Sequence, residues 1–335
     1  MQPNPHIKTH RRPNSLVVRE ERDPAPHNDE VLMRVSACGI CGSDMHAYHG
    51  HDERRPAPLI LGHEASGHVM SGSRKGERVT LNPLVTCGRC DACVDGRMHL
   101  CVERVIVSLP ARPGAFAEVV SVPEANLVAV PEGLDQVQAA LAEPIAVAYH
   151  AVALGLTRLA RPLSAVTSVV LGGGAIGLTS ALCLALNGGR EIRLGEPHAG
   201  RRRTAMRAGP IAAYDPTGPH APKDGSVDLV VDAVGAVATR QAAFRMVRPG
   251  GVIVHIGLLP GSDGVDVRRL TLQEISFIGT YCYTMVEFRE VVAALAAKQF
   301  GDLNWYEERP LAEGARAFAD IDAGRTDMAK IILRP

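Results

Sequence analysis

At 335 residues the chain is longer than one hydrophobic core serves well, and two domains are the natural division. Hydrophobic residues make up 46% of it and charged residues 21%, a balance that excludes a disordered or membrane-embedded chain. Thirty-six basic residues offset thirty-six acidic ones, so bulk electrostatics selects neither nucleic acid nor an anionic membrane as a partner.

Met1 to Ser15 is polar, with three Pro and two His, and lacks the apolar run of a signal peptide. No later stretch approaches the ~20 apolar residues that span a bilayer. The expected location is the cytoplasm, where clustered cysteines stay reduced and read as metal ligands, not disulfides.

Short alternating apolar runs follow at Val31–Val35, Ala65–Met70, Arg78–Leu81 and Phe116–Val122, broken by Gly, Pro and Asp. They predict the strands of an irregular β domain. Between the first two lie Cys41-Gly42-Ser43-Asp44-Met45-His46 and Gly62-His63-Glu64; Glu143-Pro144 comes later. A thiolate, an imidazole and a carboxylate make a three-ligand set with a fourth position open, the pattern of a catalytic zinc. Each residue alone is more often structural, and Cys38 sits in the apolar Val35–Ile40 run, where a buried core cysteine is the simpler reading.

Cys87, Cys90, Cys93 and Cys101 have the spacing C-x2-C-x2-C-x7-C, with Gly88 and Gly96 permitting tight turns among them. Four thiolates close a tetrahedron, so this lobe predicts a structural zinc with no position left for substrate.

Beyond Glu143-Pro144 apolar strands alternate with helices, which predicts a doubly wound parallel sheet. Strands are expected at Ser168–Leu171, Glu191–Leu194, Asp228–Asp232, Val252–Ile256 and Ile275–Ile278. Helices are expected at Ala175–Leu186, Ala199–Ala208 and Ala238–Val247, and Pro249-Gly250-Gly251 reads as a turn feeding the Val252 strand. After the first of these strands, Gly172-Gly173-Gly174-Ala175-Ile176-Gly177 matches G-x-G-x-x-G and opens a helix, which is the dinucleotide fingerprint in its proper context. Its candidate cofactor-binding residues are Gly172, Gly174, Ala175, Ile176 and Gly177.

Glu196 ends the next strand, 19 residues past Gly177, where a carboxylate accepts from ribose hydroxyls. NAD is therefore favoured over NADP. Arg201, with Arg202 and Arg203, complicates that choice, because a guanidinium can receive a 2′-phosphate. A helix at Glu287–Lys298 and a strand at Lys330–Leu333 complete the predicted elements.

Taken in order, Gly39-Ile40-Cys41-Gly42-Ser43-Asp44-x-His46, Gly62-His63-Glu64, the four-cysteine lobe and the glycine-rich loop resemble the zinc-containing medium-chain dehydrogenase/reductase family. The similarity runs from about Glu30 to the C-terminus. Ala142-Glu143-Pro144, where ordinary alcohol dehydrogenases have a zinc-binding Cys, places the resemblance in the polyol branch, with sorbitol, L-idonate, galactitol-phosphate and butanediol dehydrogenases.

The resemblance implies a GroES-like catalytic domain over residues 1–145 with the zinc lobe at about 86–102. It implies a Rossmann domain over 146–283 and a return to the catalytic domain over 284–335. It implies two zinc ions per chain, a secondary alcohol or polyol substrate, hydride transfer to NAD, and a homodimer or homotetramer. Cys41 and His63 would bind the catalytic zinc, with Glu64 or Glu143 completing the site directly or through water. Asp44 would hold the His63 imidazole, Ser43 would touch the substrate hydroxyl, and His46 would pass its proton to solvent.

Two departures stand out. Gly42 replaces the Arg that many alcohol dehydrogenases place on the cofactor pyrophosphate, and Met70–Lys75 is shorter than usual. A zinc-free quinone or enone reductase, and a dinucleotide sensor without turnover, are the competing readings.

Overall fold

A computed structural model describes residues 3–9, 14–27 and 29–335. The strand Glu30–Gly39 buries Val31, Met33 and Val35 on one face, the two-residue period of a strand lying on a core. One edge of it pairs antiparallel with Glu64–Val69, and the other is shared by Val119–Pro123 and Lys330–Arg334. Arg78–Leu81, Leu127–Ala129 and Tyr306–Pro310 extend this mixed sheet, whose core includes Met33, Leu61, Leu81, Phe116 and Phe318.

A register shift between Val35 and Ala37 lets Gly39 pair with Glu64. The bulge has a functional consequence. It sets Cys41, two residues past one strand, beside His63, the residue before the other begins.

The strand expected at Phe116–Val122 forms its ladder only from Val119. Phe116 instead donates its N–H to the Leu61 carbonyl, and its ring packs against Gly62, whose φ of 92° leaves no room for a side chain. An apolar run there marks a buried loop, not a strand.

The second sheet is parallel, with spatial order Ala212–Tyr214, Glu191–Gly195, Thr167–Leu171, Val227–Asp232, Val247–His255 and Ser276–Gly279. Helices cover both faces, and Val227–Asp232 is buried throughout, its two aspartates included. Strand order reverses at Thr167–Leu171, so a crevice opens at its C-terminal end, where the glycine loop lies.

Ala175–Leu186 and Ala199–Ala208 are helical as expected, and Val237–Met246 begins one residue early. Pro249-Gly250-Gly251 does not precede a strand; it lies inside Val247–His255. There the register jumps from Val227↔Val247 to Leu229↔Val252, with Gly250 at φ 71° and its N–H on the Gln273 carbonyl, so the turn is a bulge within the strand.

The helix expected at Glu287–Lys298 runs from Met285 to Ala296, because Thr284 and Glu287 form a capping box at its start. Its Phe288, Val291, Val292 and Leu295 share one core with the parallel sheet. Helix Ala142–Leu156 packs against it and against Ala175–Leu186, carrying Glu143 at its first turn.

The cysteine lobe projects from a two-stranded ribbon, Leu84–Val85 with Val105–Ile106. Pro3–Thr9 and Leu16–Arg22 form a hairpin that the sequence pattern did not announce. Of the polar stretch Met1 to Ser15, residues 1–2 and 10–13 lie outside the described residues. Among the described residues no helix is long and apolar enough to cross a membrane.

Candidate active site

Cys41 caps the short helix Gly42–Tyr48, and Asp44 in its first turn is fully buried. The Asp44 carboxylate accepts the Cys41 N–H at 3.0 Å and the Gly62 N–H at 3.3 Å, tying the two loops that carry Cys41 and His63. His63 Nδ1 lies 3.6 Å from Asp44 Oδ1, beyond hydrogen-bond distance, and has no other partner despite being buried. Burial would lower the His63 imidazole, but the Asp44 carboxylate beside it outweighs burial and holds it well above its ordinary value. An imidazole oriented by a carboxylate on one nitrogen offers the other to a metal.

Ligand atoms of Cys41, His63 and Glu64 all lie within 4.8 Å of one another, which suits a compact zinc site. Glu64 is fully buried, and Lys330 Nζ sits 2.7 Å from both its oxygens while donating to the Ile40 carbonyl at 2.8 Å. Lys330 itself is buried. Desolvation would lower its ammonium, but the Glu64 carboxylate beside it outweighs that and raises it above its ordinary value.

Glu143 reaches the same space from the start of Ala142–Leu156, and accepts a hydrogen bond from the fully buried Tyr283 hydroxyl at 3.0 Å. Burial pushes its carboxyl up to about 7. Cys38 is buried in the strand core and lies outside the metal-binding group.

Cys87, Cys90, Cys93 and Cys101 also converge within 4.8 Å, and all four are free thiols. Backbone N–H groups of Cys87 and Cys90 point at the sulfurs of Cys101 and Cys87, each at 3.4 Å. Gly88 and Gly96, at φ 70° and 77°, make the left-handed turns this requires.

Two cavities meet at Cys41. One, of about 730 Å³, is lined by Gly172, Gly174, Ala175, Ile176 and Gly177, with Glu196 and Arg201 along it. Gly172 has φ 100°, and a Cβ at Gly177 would collide with the Gly172 carbonyl oxygen, so both positions require glycine. The buried Glu196 accepts the Gly173 N–H at 2.7 Å and the His198 N–H at 2.8 Å. Of the three arginines, only Arg201 faces this cavity, its Nε buried without a partner. Arg202 bonds the Glu196 and Pro197 carbonyls, and Arg203 pairs with Asp327.

The other cavity, of about 380 Å³, is lined by Cys41, Ser43, His46, His63 and Glu143. Gly42, Met45, Ile176 and Val234 form walls of both, so the metal-binding group opens directly onto the dinucleotide crevice. A Cβ at Gly42 would touch nothing.

Lys330, Tyr283, Thr280, Arg54 and Arg55 belong to the site or its walls although no local motif announced them. Tyr281 lines this second cavity, whereas Tyr48 packs in the core against Phe318 with ring centroids 5.5 Å apart. Met70–Lys75 forms only the tight connection between Glu64–Val69 and Arg78–Leu81.

Residues 27–132 match the alcohol dehydrogenase GroES-like domain, and residues 175–297 match the zinc-binding dehydrogenase family. The chain is 31% identical to 2-dehydro-3-deoxy-L-galactonate 5-dehydrogenase of Pseudoalteromonas atlantica, with 95% of each protein covered. It is 32% identical to sorbitol dehydrogenase of Bacillus subtilis over 81% of its own length and 80% of that protein. A zinc-binding dehydrogenase from Sinorhizobium meliloti, solved with NADP bound, superposes with a TM-score of 0.87 at 29% identity, each chain covered in full.

Proposed function

This chain belongs to the zinc-containing medium-chain dehydrogenase/reductase family, in its polyol branch, and from that membership we propose that Cys41, His63 and Glu64 hold the zinc at which a secondary alcohol is oxidised. The observation that carries this reading is the shared wall at Cys41, where the metal-binding group and the dinucleotide crevice meet. When bound, zinc lowers the pKa of the substrate hydroxyl and the nicotinamide accepts the hydride.

The residues divide the remaining work. Cys41 and Glu64 supply two anionic donors, and Lys330 balances the second. Asp44 orients His63. Glu143, lifted toward neutrality by burial, faces the position left for the substrate hydroxyl. Ser43 receives that hydroxyl's hydrogen bond, and His46 carries the proton toward solvent. Burial, with His49, His51 and Arg55 nearby, lowers the His46 imidazole, so at neutral pH it is uncharged and able to accept. Cys87, Cys90, Cys93 and Cys101 hold the second, structural zinc.

The glycine loop takes the pyrophosphate at the N-terminus of Ala175–Leu186. The buried carboxylate of Glu196 disfavours a 2′-phosphate, which selects NAD. Arg201, with its unpartnered Nε, favours a second reading in which NADP is used. Catalytic residues fall in 1–145 and 284–335, and cofactor residues in 146–283. We place the enzyme in the cytoplasm, where free thiols persist. Copies pair through the edge strand Ser276–Gly279, beside which Val267 and Leu272 are exposed, to give a dimer or tetramer.

The test is oxidation of sorbitol and L-galactonate with NAD and NADP side by side, before and after chelation and zinc return. Zinc-restored, NAD-preferring turnover is expected. Full activity in metal-free enzyme would overturn the reading.

A further inference from the structure

The cavity holding Cys41 and His63 has an unusual balance of donors and acceptors. Its walls contain no Asp, Asn or Gln, and its one carboxylate, Glu143, is already bonded by Tyr283. A neutral polyol presents hydroxyls that each have a proton to donate, and this wall gives them few acceptors. It offers cations instead. Arg54 and Arg55 line it from the loop after Tyr48.

Both guanidiniums share a single carboxylate, Asp52. Arg54 grips it at 2.9 and 3.0 Å, and Arg55 reaches it at 3.2 Å. Arg55 also donates to the carbonyls of Ser43 and Ser108. The Arg54 side chain remains 58% exposed. Arg104 does not line the cavity itself; it stacks over the ring of the lining residue Tyr281 at 4.7 Å and donates to the Cys101 carbonyl at 2.9 Å. Two guanidiniums in this wall therefore share one Asp carboxylate. Beside them the Thr280 hydroxyl oxygen is buried without a partner.

We propose that Arg54, with Thr280, forms an oxyanion subsite, so that the alcohol oxidised here carries a carboxylate or a phosphate on the part of the molecule that does not react. The proposal rests on the hydride-transfer reading of Cys41 and His63. A planar guanidinium engages either oxyanion through paired N–H donors. A cleft with excess positive charge also concentrates anionic substrates.

The test compares kcat/KM for L-galactonate, galactitol and galactitol 1-phosphate with NAD, in wild type, Arg54→Gln and Arg54→Lys. One of the anions should exceed galactitol by roughly 10-fold or more, and which one identifies the group. Arg54→Gln should bring that ratio close to one through KM, Arg54→Lys should restore part of it, and added salt should raise KM for the anion selectively. Galactitol used as well as both anions, or a ratio unchanged in Arg54→Gln, overturns the subsite. If no alcohol is oxidised with NAD or NADP, the hydride-transfer reading falls on its own. Calorimetric titration of L-galactonate and galactitol 1-phosphate then decides the subsite: binding that Arg54→Gln abolishes supports it, and no binding overturns it.

Discussion

At the residue scale the site is built on a few side chains that lack ordinary partners. His63 Nδ1 is buried without a hydrogen-bond partner, with the Asp44 carboxylate at 3.6 Å, an arrangement that makes sense when the ring's other nitrogen is held by a metal. Cys41→Ser should abolish turnover while leaving NAD affinity, read by cofactor fluorescence, within a few-fold of wild type. Glu64 and Glu143 divide under the same logic: Glu64→Gln should lose the catalytic zinc, whereas Glu143→Gln should keep the metal and lower kcat. His46 sets a pH limit. Its imidazole is held below 6.5, so it is neutral above that lowered value and takes up a proton as pH falls through it. Alcohol oxidation should accordingly decline only below pH 6.5, and a pH profile of His46→Gln should lack that limb with a rate ~10²-fold lower.

At the scale of elements, what could be read from sequence and what could not have a common cause. The glycine loop and the cysteine lobe were legible because their chemistry sits within a few neighbouring residues, where spacing alone dictates geometry. Lys330 and Glu64 are 266 positions apart, and Tyr283 and Glu143 are 140 apart. Such contacts follow from sheet register and helix docking, which local periodicity does not encode. Phe116 and Pro249-Gly250-Gly251 misled for a related reason, since an apolar run and a turn signal both have uses inside a loop or a bulge.

Two elements give direct predictions. Gly177→Ala would press a methyl group into the Gly172 carbonyl, so it should weaken NAD binding by more than ~10-fold in a titration and lower the melting temperature. Glu287 accepts the Thr284 N–H at 2.7 Å and holds His150 at 2.9 Å, joining the helix Met285–Ala296 to the helix that carries Glu143. Burial would raise the Glu287 carboxyl, but His150 and Thr284 outweigh it and lower the value from 4.5. Its stabilisation is therefore complete above pH 4.5 and lost as pH falls through the lowered value. Glu287→Ala should cost about 1–3 kcal/mol in urea unfolding at pH 7, and the difference from wild type should shrink in acid.

For the whole molecule, two sheets of different design meet at one residue. The mixed sheet delivers Cys41 and His63 through a bulge, the parallel sheet delivers the glycine loop at its order reversal, and the two cavities share the wall around Cys41. The ribbon that carries the cysteine lobe borders the substrate cavity through Leu84 and Ile106 but lines no part of the dinucleotide crevice. Cys101→Ser should therefore lower the melting temperature and leave cofactor affinity nearly unchanged.

The most direct measurement is zinc content per chain, by elemental analysis, in wild type and His63→Ala, alongside turnover. Two zinc ions are expected in the wild type, and one zinc with no turnover in His63→Ala that still binds NAD. Two zinc ions and undiminished turnover in His63→Ala would contradict a catalytic zinc held by His63.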